Sequence, residues 1–378
     1  MEDPAGDALM LSIYNAPVGQ HYNGNELDLL YPPASIIAIR EPNLKVPMMG
    51  GAGILRVDSP ADVSLLSPSD PLLKNVKWRQ PAPISPFARN CDFKVGGNLY
   101  FVKGEYLVAE SLYSRGLREN PPKEQRLLHL NRAAAHLQLS NFASAGRDAT
   151  AVLEAIKEMD EPESKENLKL REKALFRLAN SQYGQRKFLL AKSTFTTLLQ
   201  HVPTGQQAVD GIAKCEAREK ESATGEYDFL GMYQAGKKGG AVRLDVADYH
   251  GPIKVEQIAA RGGGRGVVAT RDIKAGEVVL AEKAFDICFA GDLNPKCFIT
   301  TLDILRKEVK FNTGVAHVAG IVSKLMDDPS LIPVLDSLYA GPTESPPLPF
   351  PVTTDVASSL DSIGIDVGRV ELVCTINE

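Results

Sequence analysis

Five polar side chains at regular spacing and one glycine-rich turn carry what chemistry this 378-residue sequence can be read for. Lys94 and Asn98 stand four apart, Lys173 and Arg177 do the same, and Asn131 lies between the two pairs. On a helix a four-residue step returns to the same face, so each pair would act together. Ammonium and guanidinium groups give charge-assisted bonds to a carboxylate, and the amides add neutral donors. The same residue types also populate ordinary solvated helix faces. The second stretch is Gly264-Arg265-Gly266, inside the run Arg261 to Gly266, where dense glycine lets the backbone approach either another strand or a ligand. Other candidates fall away on spacing. Gly236-Lys237-Lys238-Gly239-Gly240 lacks the G-x-x-x-x-G-K-[ST] order of a phosphate loop. Cys91, Cys215, Cys288, Cys297 and Cys374 are scattered, odd in number and without a Cys-x-x-Cys pair, which signals neither a disulfide framework nor a zinc site.

The elements that must hold the five polar residues repeat. Gly97, Tyr100, Gly104, Tyr106, Ala109, Tyr113 and Pro121 open a pattern of small and large residues. Ala133, Phe142, Ala145 and Ala149 take the same slots next, followed by Ala179, Phe188, Ala191, Phe195 and Pro203. The alanine steps from 109 to 145 and from 145 to 191 exceed 34 residues, which implies inserted loops, the longer one near Glu161 to Leu170 with Pro162. This grammar is that of the tetratricopeptide (TPR) repeat, and it predicts three helical hairpins over 90–123, 126–159 and 172–205. A capping helix over Gln206 to Ala223 would bury Ala208, Ile212 and Cys215.

Around the repeats the chain divides by composition. Residues 1–75 are an N-terminal extension whose first 25 or so read as a polar lead-in. A small β unit follows, with strands at Ile36 to Arg40 and Gly53 to Val57 that could pair with Val63 to Leu66, and a turn at Met48-Met49. Residues 76–89, with Pro81, Pro83 and Pro86, are a stiff linker, and 224–252 a second linker. Residues 253–378 begin with a predicted hairpin: a strand after Gly266, a turn at Lys274-Ala275-Gly276 and a second strand ending at Phe285. Helices are expected at Phe298 to Lys307, Val315 to Met326 and Val356 to Ile376. The balance of 44% hydrophobic and 24% charged residues with net charge −5 gives no electrostatic reason to expect nucleic acid, and no apolar run reaches a membrane span. Cysteine usage fits a reducing compartment, cytoplasmic or nuclear.

Two resemblances add function to this reading. Gly264-Arg265-Gly266 through Phe285 looks like the first two strands of a SET domain, the fold of S-adenosylmethionine-dependent protein-lysine methyltransferases. The order repeats-then-SET, approached through Asp245-Val246-Ala247-Asp248-Tyr249, resembles TPR-plus-SET proteins related to the SET-MYND enzymes, without the MYND zinc module. The resemblance implies S-adenosylmethionine as cofactor, with Gly264, Arg265 and Gly266 as its contacts, and it marks Gly263 as a departure from relatives with a polar residue there. It also implies a late Asn-His-x-Cys segment and a tyrosine beside the substrate lysine. His317 follows Ala316, Tyr339 sits beside Gly341-Pro342 and Cys374 reads as core, so the expectation is a SET domain incomplete in this chain, with no catalytic residue assigned and no methylation. The second resemblance is to TPR domains that clamp chaperone tails, and Lys94, Asn98, Asn131, Lys173 and Arg177 match that carboxylate clamp. The implied partners are acidic C-terminal peptides such as chaperone tails ending Glu-Glu-Val-Asp. The fold expectation is multidomain and mainly α: a TPR superhelix over 90–223, a small N-terminal β unit and a C-terminal partial SET domain of β hairpin plus helices. The functional expectation is a TPR-containing SET-family protein, the alternative a non-catalytic chaperone-binding adaptor.

Overall fold

The computed structural model describes residues 1–16, 24–46, 53–66, 70–79, 92–119, 122–157, 164–239, 242–259, 263–293, 300–303, 308–341 and 364–377. The Met48-Met49 turn, the prolines at 81, 83 and 86, Pro162, Arg261-Gly262, Cys91 and Cys297 lie outside the described residues. The chain divides into two compact units, Met1–Glu119 with Asp286–Glu378, and Asn120–Phe285.

The first unit begins with strand β1 (Met10–Ile13), helix α1 (Gly24–Leu30) and strands β2 (Ile36–Ile39), β3 (Asn43–Lys45), β4 (Ile54–Val57) and β5 (Val63–Leu66). The lead-in expected over the first 25 residues is therefore corrected: β1 runs parallel to β4, Met10 opposite Ile54 and Ile13 opposite Val57. Its apolar Met-Leu-Ser-Ile run gains a ladder and lies along the fully buried Val57. β3 adds to the other edge of β4, and β2 pairs antiparallel with β5, so the strands form two small sheets, and of the two runs expected to pair with Val63 to Leu66 only Ile36–Ile39 does so among the described residues. Between β4 and β5, Ser59 caps the short turn at Pro60–Asp62, and Arg40 pairs with Asp62 at 2.9 Å.

The first helical hairpin is α2 (Phe93–Val102), capped by Asp92, and α3 (Tyr106–Glu119). A Cβ on Gly97 would stand 2.3 Å from the Tyr113 ring, so this glycine is what lets the two helices close. Leu29 of α1 joins Phe93, Val108 and Leu112 in one core.

The second unit holds α4 (Pro122–Gln138), α5 (Phe142–Lys157), α6 (Lys165–Gly184), α7 (Phe188–His201), α8 (Gln206–Thr224) and α9 (Phe229–Lys237). α4 packs on α5 and α6 on α7 as antiparallel pairs, and α8 continues the stack. The described helices form TPR-like hairpins, and Ala109, Ala145 and Ala191 are all fully buried. Each of these alanines lies five residues after a left-handed residue: Gly104 (φ 83°), Ser140 (φ 60°) and Arg186 (φ 62°). The same hydrogen bond closes each turn, from Glu105 N to Tyr100 O, Asn141 N to His136 O and Lys187 N to Gln182 O, at 2.8–3.0 Å. The third hairpin starts earlier than expected, because Ser164 caps α6 at Lys165 and the polar stretch to Leu170 is helical. Ala208 and Cys215 of α8 are buried with Phe195.

Residues 224–252 are not free linker. They contain α9, capped by Asp228, and an extended stretch fastened to the helices. Strands β6 (Tyr249–His250), β7 (Ile253–Gln257), β8 (Arg265–Ala269) and β9 (Leu280–Ala281) follow. Here the expected hairpin is corrected. β8 pairs with the upstream β7, Gln257 opposite Arg265, while β9 pairs with β6. The alternating Ile-Lys-Val-Glu-Gln of β7 offers the nearer ladder, and the Lys274–Gly276 turn, with Gly276 at φ 83°, leads from one small sheet to the next.

The chain then returns to the first unit with antiparallel β10 (Thr300–Asp303) and β11 (Glu308–Phe311), α10 (Asn312–Asp327), α11 (Ile332–Asp336) and α12 (Val367–Asn377). The helix expected over Phe298 to Lys307 is thus strand where described, because Thr300–Asp303 finds an antiparallel partner in Glu308–Phe311 and threonine favours strand. α10 buries Ala316, Val318, Ala319, Ile321, Val322 and Leu325, and it packs on α12, where Val370, Val373 and Cys374 are buried.

Candidate peptide-binding site and glycine turn

Lys94 and Asn98 are exposed on α2 in the first unit, and the Asn98 side-chain oxygen accepts the Tyr113 hydroxyl at 2.8 Å. Asn131 is half-buried on α4, and exposed Lys173 and half-buried Arg177 lie on α6, all in the second unit. The two helices are held side by side by polar bonds. Arg126 of α4 donates to Asn167 of α6 at 3.1 Å, and an Arg177 Nη donates to the Leu130 carbonyl. Arg177 is thereby anchored at the residue before Asn131, so three of the five sequence-predicted donors sit on adjacent helices. Leu130, Leu170 and Ala174 form the apolar seam beneath them.

One charged cluster carried no sequence signal. Asp148 on α5 is 3% exposed and takes both Arg132 nitrogens at 2.7 and 2.8 Å, with His129 Nδ1 at 2.8 Å and His136 Nε2 at 3.8 Å. Burial acts to raise the Asp148 carboxyl, but the hydrogen bonds from Arg132 and His129 outweigh it and hold the group below the usual carboxylate range. A lone Asp in an alanine-rich helix reads as surface. Only the i, i+3 and i, i+7 spacing of His129, Arg132 and His136 on the facing helix could have hinted otherwise.

A second cluster fastens Asp245 to Tyr249. The Tyr183 hydroxyl donates to both Asp245 carboxylate oxygens at 2.9 and 3.1 Å, and Arg186 donates to Val246 O at 3.1 Å and pairs with Asp248 at 2.9 Å. Glu221, paired with Arg218, accepts the Ala247 N–H at 2.8 Å, and Asp248 accepts the Lys283 N–H at 2.7 Å. Burial and the hydrogen bond to Asp245 push the Tyr183 phenol well above its ordinary value.

The glycine turn lies at the start of β8. Gly264 precedes β8 and faces open space, Arg265 is exposed on the strand, and a Cβ on Gly266 would meet the Ile258 side chain at 2.4 Å. Packing against Ile258 accounts for the glycine at 266. Of the residues weighed for a methyl-transfer site, His317 lies on α10, 3.9 Å from Asp286, Tyr339 is exposed and Cys374 is buried. Among the described residues no cluster of side chains could hold a metal ion, and no helix is long and apolar enough to cross a membrane.

The geometry defines TPR-like helical hairpins followed by a β segment. No family model matches the chain. It is 26% identical over 293 residues to a protein named Methyltransferase from Gibberella zeae, across 77% of this chain and 38% of that protein. Over 127 residues it is 29% identical to human mitochondrial import receptor subunit TOM34, across 32% of this chain and 37% of the relative. The chain thus spans less than two fifths of the length of these curated relatives. The second TPR domain of human RPAP3, solved with the HSP70 peptide SGPTIEEVD, shares 27% identity over 33% of this chain and 92% of that one, with a TM-score of 0.28.

Proposed function

We propose that the repeat helices capture the free C-terminus of an acidic peptide. The observation that carries this reading is the pairing of α4 with α6, which sets Asn131 beside the anchored Arg177, with Lys173 exposed one turn away. Asn131 supplies a neutral donor, Lys173 a mobile ammonium, and Arg177 a guanidinium whose position is set by Leu130. The resemblance to clamp-type TPR domains gives Lys94 and Asn98 the role of further donors. Chaperone tails ending Glu-Glu-Val-Asp have the required chemistry. Fluorescence anisotropy with such a peptide tests the assignment. Lys173→Ala should weaken binding by about 1.5–3 kcal/mol, the range for a hydrogen bond to a charged group, without altering the helical circular dichroism. Unchanged affinity in both Lys173→Ala and Lys94→Ala would remove the reading.

A second reading concerns residues 253–378: the N-terminal part of a SET domain of protein-lysine methyltransferase type, supported by the 26% identity over 77% of this chain to a protein named Methyltransferase. Labelled S-adenosylmethionine with a cell lysate tests it. Time-dependent labelling lost in Arg265→Ala would support the enzyme, whereas no labelling favours the adaptor alternative.

A further inference from the structure

The two clamp cations on α6 belong to a longer series. Lys165, Lys169, Lys173 and Arg177 recur every four residues, and the three lysines are exposed. Among the described residues none forms an ion pair or hydrogen bond with the ammonium group of any of these lysines. Four-residue steps rise about 6 Å and turn about 40°, so the four cations form one inclined ridge about 18 Å long. The positive end of the helix dipole lies at its Lys165 end. Against this stand two carboxylates on the same helix: Glu172, about 100° around from Lys173, and exposed Glu166, close to the ridge beside Lys169.

We propose that the residues upstream of the captured C-terminus lie lengthwise along α6, and that this ridge selects tails with acidic side chains at alternate positions. The steps match. An extended chain advances about 6.6 Å per two residues, side chains on one face recur with that period, and the lysines recur at about 6 Å. With the terminal carboxylate at Lys173 and Arg177, the next same-face acidic residues fall at Lys169 and then Lys165. The partner is thus an extended acidic C-terminal tail longer than the clamp alone would read. This rests on the capture of a C-terminus proposed above.

The test uses the full chain and two ten-residue free-acid peptides with the same last four residues, one with Glu and one with Gln at alternate upstream positions. Two exposed ion pairs should make the Glu peptide bind roughly three- to tenfold more tightly at low salt. Lys165→Gln with Lys169→Gln should abolish that preference and leave the Gln peptide unaffected, and Glu166→Gln should enlarge it. Equal loss for both peptides, or a preference untouched by the double variant, overturns the ridge while leaving the clamp standing. Failure of either free-acid peptide to outbind its amide would instead remove the clamp. Displacement of the Glu and Gln peptides alike by an unrelated polyanion such as heparin would show a general anion surface and also overturn the proposal.

Discussion

Gly184 closes α6 against the first residue of α5, and replacing it with alanine tests how the hairpins stack. A Cβ at this position would stand 2.3, 2.4 and 2.5 Å from three atoms of the Phe142 ring. Ordinary carbon contacts are about 3.5–4.0 Å, so the ring or the helix must give by more than 1 Å. Overpacking of that kind costs about 1–3 kcal/mol. Alanine's helix preference over glycine, at most about 1 kcal/mol in a helix interior, is smaller at this last residue of α6. The net expectation is a loss of about 1–2 kcal/mol, a fall in melting temperature of roughly 3–8 °C for a unit of this size. Gly236→Ala is the control, because nothing lies within 4 Å of its Cβ, and it should melt at or slightly above the parent. Urea titration of the parent, Gly184→Ala, Phe142→Leu and the double variant completes a cycle, with an expected coupling above about 0.5 kcal/mol. A Gly184→Ala protein as stable as the parent, or a cycle with no coupling, would refute the packing argument.

Ser140 occupies the left-handed position that Gly104 fills in the first hairpin, and it is exposed. Ser140→Gly should therefore stabilise the chain by about 0.5–1 kcal/mol, read by chemical denaturation, against the left-handed cost a side chain incurs there. Asp148→Asn should destabilise by about 3 kcal/mol, since the buried carboxylate that Arg132 and His129 bond would lose its charge. The folded Asp148 carboxyl lies below its unfolded value of about 3.9, so its contribution is fully present above that value and is lost as pH falls through the folded one. Parent stability should accordingly fall as pH drops below about 4, and by more than that of the Asp148→Asn variant, in parallel acid titrations followed by circular dichroism.

The hairpins were legible because one local rule repeats: a left-handed turn residue, then a buried alanine five positions on, with an aromatic filling the hole beside a glycine. Ala109, Ala145 and Ala191 carry that rule in the sequence even where Ser140 and Arg186 replace the glycine of Gly104. What escaped is non-local. Met10–Ile13 is a four-residue run whose parallel partner lies 44 positions away, and no turn signal links the two. The strand at Arg265–Ala269 was visible, but two flanking strands could pair with it, and the choice of Ile253–Gln257 depends on the second sheet formed by Tyr249-His250 and Leu280-Ala281. Asp148 and the Tyr183–Asp245 contact join residues 12 or more apart through helix packing, which composition does not encode. Of the site itself, the four-residue pairs were readable, whereas the anchoring of Arg177 on the Leu130 carbonyl required the fold.

Capture of a peptide C-terminus is the central claim, and calorimetry with one acidic peptide in free-acid and amidated forms addresses it most directly. The free acid should bind at about micromolar strength, near −8 kcal/mol, and weaken with salt. The amide should lose most of that affinity, because Lys173 and Arg177 would face a neutral end. Equal affinity for the two forms would contradict the account.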